Sequence, residues 1–204
     1  MPDVYHEGNR RLQDRFDTRR LADRLEERIV RDTIGANDKT FIEMCDMFFL
    51  ATADEKGRPN CSYKGGDPGF VRVVDERTIA WPNYDGNGMY LSMGNLLRNP
   101  HVGLLFINFE FGHRMRLNGE ASVDEGDPLM AEYPEAQFIV RVRAREVFPN
   151  CPRYIHRMEK VAASPFVPRA GCETPVPNWK RSGLTEGDVL PAKDAARDAS
   201  REVV

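Results

Sequence analysis

The residues best placed to do chemistry in this chain lie at positions 78–109, TIAWPNYDGNGMYLSMGNLLRNPHVGLLFINF. Gly86, Gly88 and Gly94 stand there among the short polar side chains of Asn87, Ser92 and Asn95, ahead of a short helix carrying Leu96 and Leu97. Glycines before a helix start let several backbone N–H groups converge, and the helix dipole adds partial positive charge. A loop of this kind suits a phosphate, such as that of a cofactor lying over neighbouring strands. The same glycines also serve tight turns, so spacing alone leaves both readings open.

Other reactive residue types are dispersed. His6, His101, His113 and His156 show no metal-ligand spacing with the cysteines, so no metal site is expected. Cys45, Cys61, Cys151 and Cys172 form no CxxC and no pairing pattern, which fits reduced thiols. Cys151, within the turn Pro149-Asn150-Cys151-Pro152, is expected to be a buried structural cysteine. No Ser-His-Asp arrangement stands out.

Strands must position the loop. Residues 47–53 (MFFLATA) form an apolar run of strand length, and Asp54-Glu55-Lys56-Gly57 is turn chemistry. Cys61 and Tyr63 alternate with Ser62 and Lys64 over 60–64, and further strands are expected at 70–74 and 78–82, making two hairpins before the loop. A buried strand at 102–109 follows, then one at 113–123 with Arg114 and Arg116 on one face and Met115 and Leu117 on the other. Gly119 inside it predicts a bulge or a close backbone approach. Residues 137–148 alternate Val140, Val142 and Ala144 with Arg141, Arg143 and Arg145, one face buried and one facing water or a partner. The total is six or seven antiparallel strands, which close most economically into a barrel. With no βαβ alternation and no GxGxxG after a strand, a Rossmann fold is not expected.

The flanks differ in character. Leu12, Phe16, Leu21, Leu25 and Ile29 recur mostly every four residues among arginines and acids, predicting an amphipathic helix with one packed face. Gly35 closes it, and Asn37 or Asp38 is a suitable cap for a short helix through Phe41, Ile42 and Cys45. From Ser164 onward Pro, Gly and charge dominate, predicting an extended or partly disordered tail. The expected division is a helical extension over 1–40, a barrel over 41–160 and a tail over 161–204.

Composition narrows the function class. A formal net charge of -3 gives no general affinity for nucleic acid or membrane. No apolar run approaches the ~20 residues that span a bilayer, and MPDVYHEGNRR lacks the apolar core of a signal peptide. A cytoplasmic location is expected.

The ordered motifs PNYDGNG, SMGNLLRNPHVGLLFINF and HRMRLNGEA, with SYKGGDPGFV at 62–71 and FPNCPRYIH at 148–156, resemble the flavin-binding split barrel of the pyridoxamine 5'-phosphate oxidase-like proteins, in particular their flavin-nucleotide-binding branch. The resemblance covers roughly residues 41–157. It implies a homodimer with FMN at the interface between two barrels. Positions matching the family's ring and phosphate contacts are Ser62, Tyr63, Lys64, Trp81, Pro82, Ser92, Gly94, Asn95 and Arg114. Asn87 in the loop joins this set, and Trp179 corresponds loosely to a cofactor-side tryptophan in the family's tail. On this reading Lys64 and Arg114 neutralise a phosphate and Trp81 lies against a flat ring. Each also has a plain structural reading: Trp81 as core, Lys64 on a solvated strand face, Arg114 pairing a carboxylate.

Two departures matter. Gly94-Asn95 stands where the family's oxidases carry an Arg-Lys pair, and PNWKRSGLTEGD lacks the histidine with which the vitamin B6 enzymes hold substrate. Vitamin B6 oxidation is therefore not expected. The expected function is an FMN-dependent oxidoreductase that moves a hydride through flavin N5 between a donor and a small organic substrate. The alternatives are a non-catalytic flavin-binding or sensing module, or a split barrel holding a deazaflavin or haem.

Overall fold

A computed structural model describes residues 4–185 and 189–199. The chain divides into two compact units, Met1–Ala163 and Ser164–Val204.

The first unit is built on seven antiparallel strands. These are β1 (Met47–Ala53), β2 (Pro59–Gly65), β3 (Arg72–Asp75), β4 (Thr78–Asn83), β5 (His101–Asn108), β6 (His113–Asp124) and β7 (Phe138–Asn150). They form one sheet in the order β2-β1-β5-β6-β7-β4-β3, the mainly β split barrel expected. Strand alternation sets its two faces. Phe48 and Leu50 of β1, Leu104 and Phe106 of β5, Met115 and Leu117 of β6, Val140 and Val142 of β7 and Ile79 and Trp81 of β4 share the inner face and are buried. Phe48 lies at its centre, stacked on Phe70 and tilted against Phe106, with ring centroids 5.9 and 5.2 Å away.

The bulge predicted at Gly119 is present. The β6–β7 register shifts between Asn118 and Gly119, and a Cβ at Gly119 would stand 2.2 Å from the Arg143 carbonyl oxygen. The shift moves Val147 inward while Phe148 takes the outer face. The arginines of β7 meet acids of the same chain. Arg141 holds Asp127 at 2.5 and 3.0 Å, and Arg145 holds Glu120 at 3.1 Å.

The N-terminal helix differs from expectation. Two helices form, α1 (Glu7–Arg15) and α2 (Arg19–Ile29), separated at Asp17, whose φ is +51°. Leu12, Phe16, Leu21 and Leu25 are exposed in the protomer, and Gln13 and Ala22 are buried instead. The four-residue period marks the apolar stripe but cannot say which side is buried. The next helix, α3 (Ala36–Met44), is capped by Gly35, whose N–H donates to the Asp38 carboxylate at 2.7 Å. α3 also closes the free edge of β3: Glu43 accepts from the Val73 N–H at 3.0 Å and Lys39 donates to the Val73 carbonyl at 3.1 Å. Unpaired edge groups are satisfied there without another strand.

The second unit carries 3-10 turns at Asn178–Arg181 and Gly183–Thr185 and a helix, α5 (Ala192–Ala199). A buried ion pair, Lys180 to Asp194 at 2.7 Å, ties the first turn to α5.

Candidate functional site

The helix between β4 and β5, α4 (Leu91–Leu96), packs over β1, β2 and β6. It begins earlier than expected, so Ser92, Gly94 and Asn95 belong to its turns and not to a loop ahead of it. Tyr90 supplies the left-handed cap, with φ of +48°, and buried Met93 and Leu96 hold the helix on the core. Leu97, exposed, ends it.

Two side-chain bonds dock α4 on the inner face. Ser62 and Ser92 join hydroxyls at 2.9 Å, and Asn95 donates to the Thr52 hydroxyl at 3.0 Å. Ser62, Lys64 and Thr52 share that face because β1 and β2 pair Leu50 with Ser62 and Phe48 with Lys64. Thr52 was not among the expected site residues. Its place two positions after Leu50 was the signal for it.

Lys64 is half-buried at this end of the sheet. Burial holds its ammonium below its usual pKa, and among the described residues no carboxylate pairs with it. A desolvated cation without a counter-ion, beside two hydroxyls, is chemically suited to an anion. Asn87 lies in the exposed loop before α4, where its side-chain oxygen accepts from the Met89 N–H at 3.0 Å. The loop is tied back through Gln137, which accepts from Tyr90 and Asn83 at 3.1 and 2.9 Å.

The remaining expected residues of the first unit are not gathered with Lys64. Trp81 is 1% exposed and meets Phe48 edge-on at 5.1 Å, so its indole is core in this protomer and not a surface for a flat ring. The hydrophobic cluster around Phe48 leaves its ring faces covered. Pro82 lies on the outer face, buried opposite Ile139. Tyr63 also points outward, 62% exposed, with its ring edge against Phe49.

Arg114 is on that outer face too. It pairs in register with Ile107 of β5 and Asn150 of β7, whereas the inward residue beside it is Met115. Lys64 and Arg114 of one chain therefore face away from each other across the sheet. Trp179 belongs to the second unit, with the Lys180 ammonium 5.6 Å from its ring centre.

Cys151 is exposed, against expectation, because β7 ends at Asn150 and the following segment leaves the sheet. Burial pushes the Cys45 thiol up to about 12. Among the described residues no helix is long and apolar enough to cross a membrane.

No curated protein matches the chain. Among solved structures, HupZ of Group A Streptococcus has 17% identity and a TM-score of 0.47, covering 62% of this chain and 99% of its own. HutZ of Vibrio cholerae, described as a haem storage protein, has 18% identity and a TM-score of 0.42, covering 56% and 93%. An FMN-binding protein of Syntrophomonas wolfei has 14% identity and a TM-score of 0.42, covering 69% and 96%. The family described as pyridoxamine 5'-phosphate oxidase matches residues 34–159, a span containing all seven strands and α4. With more than half of its length matched, this chain belongs to the pyridoxamine 5'-phosphate oxidase family.

Proposed function

We propose that the protein is an FMN-dependent oxidoreductase acting on a small organic substrate as a homodimer. The observation that carries this reading is Lys64: a half-buried ammonium without a counter-ion, set beside the Ser62–Ser92 hydroxyl pair in the fold of this family. Bound FMN would supply hydride transfer through its N5 position. The chain's own residues would bind and orient it. Lys64 answers the phosphate charge, and Ser62 and Ser92 offer hydroxyl donors once they release each other. Asn95, fixed on Thr52, holds α4 at the required place.

The outer face supports the homodimer. Tyr63 and Ala51 are exposed there, and Phe49, Leu105 and Ile107 are only half-buried, an apolar patch on neighbouring strands. A patch of this kind on a sheet face is characteristic of an interaction surface. Pairing two copies through it would bring Arg114 of one chain toward the ligand of the other, which a single chain does not allow.

The test is an absorption spectrum of the purified protein, mass identification of any small molecule released by heat, and anaerobic addition of a nicotinamide donor. Released FMN that is reduced over many turnovers supports the reading. FMN that stays oxidised with every donor leaves a flavin-binding module without turnover. A colourless protein that takes up no added FMN overturns the cofactor assignment. Released deazaflavin or haem would replace it.

A further inference from the structure

Among the described residues four buried side-chain polar atoms have no hydrogen-bond partner: Trp81 Nε1, Arg114 Nε, Tyr133 Oη and Asn150 Oδ1. Trp81 faces inward and Tyr133 lies under the segment before β7, each apart from the others. Arg114 and Asn150 are different. They are directly paired residues of β6 and β7, so their side chains leave the same face of the sheet a few ångströms apart. One orphan atom is a donor and the other an acceptor, yet they do not satisfy each other. Buried polar groups in folded proteins are almost always paired, so two adjacent orphans of opposite kind call for partners from outside the chain, a water or a ligand.

We infer that Arg114 and Asn150 together read an imide edge, a carbonyl oxygen beside an N–H, on the bound cofactor ring. Arg114 Nε donates to the carbonyl oxygen and Asn150 Oδ1 accepts from the N–H. Flavin and deazaflavin rings both carry this edge at N3–H and its flanking carbonyls; haem does not. The inference rests on the flavin reading above. It gives Arg114 a ring contact in place of the phosphate contact expected from sequence, which suits its position on the face opposite Lys64. Asn150 enters as a specificity-determining residue. The half-buried Ile107, which flanks Arg114 in register on β5, supplies an apolar wall beside the pair.

The test compares FMN with FMN methylated at N3, by fluorescence titration of the full-length protein and of Asn150→Leu, with thermal melts confirming that the variant is folded. The native protein should bind the methylated compound about tenfold or more weakly, since Asn150 Oδ1 loses its donor. In Asn150→Leu the two compounds should bind with nearly equal affinity. If the native protein binds both alike, or if discrimination persists unchanged in Asn150→Leu, the inference falls while the flavin reading stands. If neither compound binds, both fall together. A variant that does not fold leaves the native comparison to decide.

Discussion

Lys64 and Arg114 occupy opposite faces of the same sheet, Lys64 paired with inward Phe48 and Arg114 flanked by outward Ile107 and Asn150. If one ligand needs both, it must take them from different chains. A mixed dimer of Lys64→Met and Arg114→Leu protomers should then contain one site with both residues intact and one with neither. Each homodimeric variant should bind FMN at least about tenfold more weakly than the native protein. The mixed dimer, separated from both homodimers by different affinity tags on the two protomers, should recover native-affinity binding at half the native stoichiometry. Recovery of none would show that the two residues serve the same subunit's ligand or different ligands.

The Lys64 ammonium also links binding to stability. Its folded pKa lies below its unfolded value, so between the two the unfolded chain holds more protons and ligand-free stability rises with pH. Lys64→Met removes the desolvated charge and should raise the melting temperature of the ligand-free protein at neutral pH. The same variant should discriminate little between FMN and riboflavin, because the phosphate has lost its cation. For the native protein, FMN affinity should decline relative to riboflavin affinity as pH rises through the Lys64 pKa, since ionisation of the ring N3–H affects both ligands alike. Melting curves and parallel titrations from neutral to alkaline pH measure all three.

Asp127 offers the opposite sign. Its carboxylate is buried, caps the Leu129 N–H at 2.9 Å and is held by Arg141, which keeps its pKa below the usual range. A depressed carboxylate contributes stability above its unfolded pKa and loses it as pH falls through the folded one. Asp127→Ala should cost about 2 kcal/mol at neutral pH, since charge-assisted bonds to Arg141 and a helix-cap bond are lost together. The difference between variant and native protein should shrink in acid. Urea titrations at neutral and acidic pH would show it, and an undiminished gap would refute the assignment.

Much of this architecture is legible in the residues. The apolar run MFFLATA matches β1, and the alternation of Val140, Val142 and Ala144 marks the buried face of β7. Ser92 and Asn95 are legible as polar groups at one place because they stand together at a helix start, whereas Ser62 joins them only through the family resemblance. Their mutual bonds, and Thr52 beneath them, depend on how α4 crosses β1 and β2. The faces of Lys64 and Arg114 were not legible, for a physical reason. Alternation assigns a side chain to a face only relative to its own strand. Two strands, β1 and β5, separate β2 from β6, and their registers are set by pairing across the sheet. Trp81 shows the same limit: its type suits a ring contact, but its parity with Ile79 on β4 carries it into the core.

Gly119 controls which face the end of β7 presents. Asn118 pairs with Glu146 and Gly119 with Ala144, so Arg145 is the extra residue of the bulge. On the other side of β7 the Ala144 N–H bonds the Arg77 carbonyl at 2.7 Å, continuing the pairing with β4. Beyond it the inward positions change from even to odd numbers: Val140, Val142 and Ala144 give way to Val147. Asn150 consequently shares the outer face with Arg114. In Gly119→Ala the new methyl would meet the Arg143 carbonyl at 2.2 Å, a backbone atom that no rotamer change can move aside. The β6–β7 pair must open or slide, and the variant should lose at least about 1–3 kcal/mol of stability. If the bulge slips by one residue to relieve the clash, Asn150 moves to the other face. The folded fraction of Gly119→Ala should then lose its preference for FMN over the N3-methylated compound even though Asn150 itself is intact. A variant of native stability that keeps that preference would show that the bulge does not set the position of Asn150.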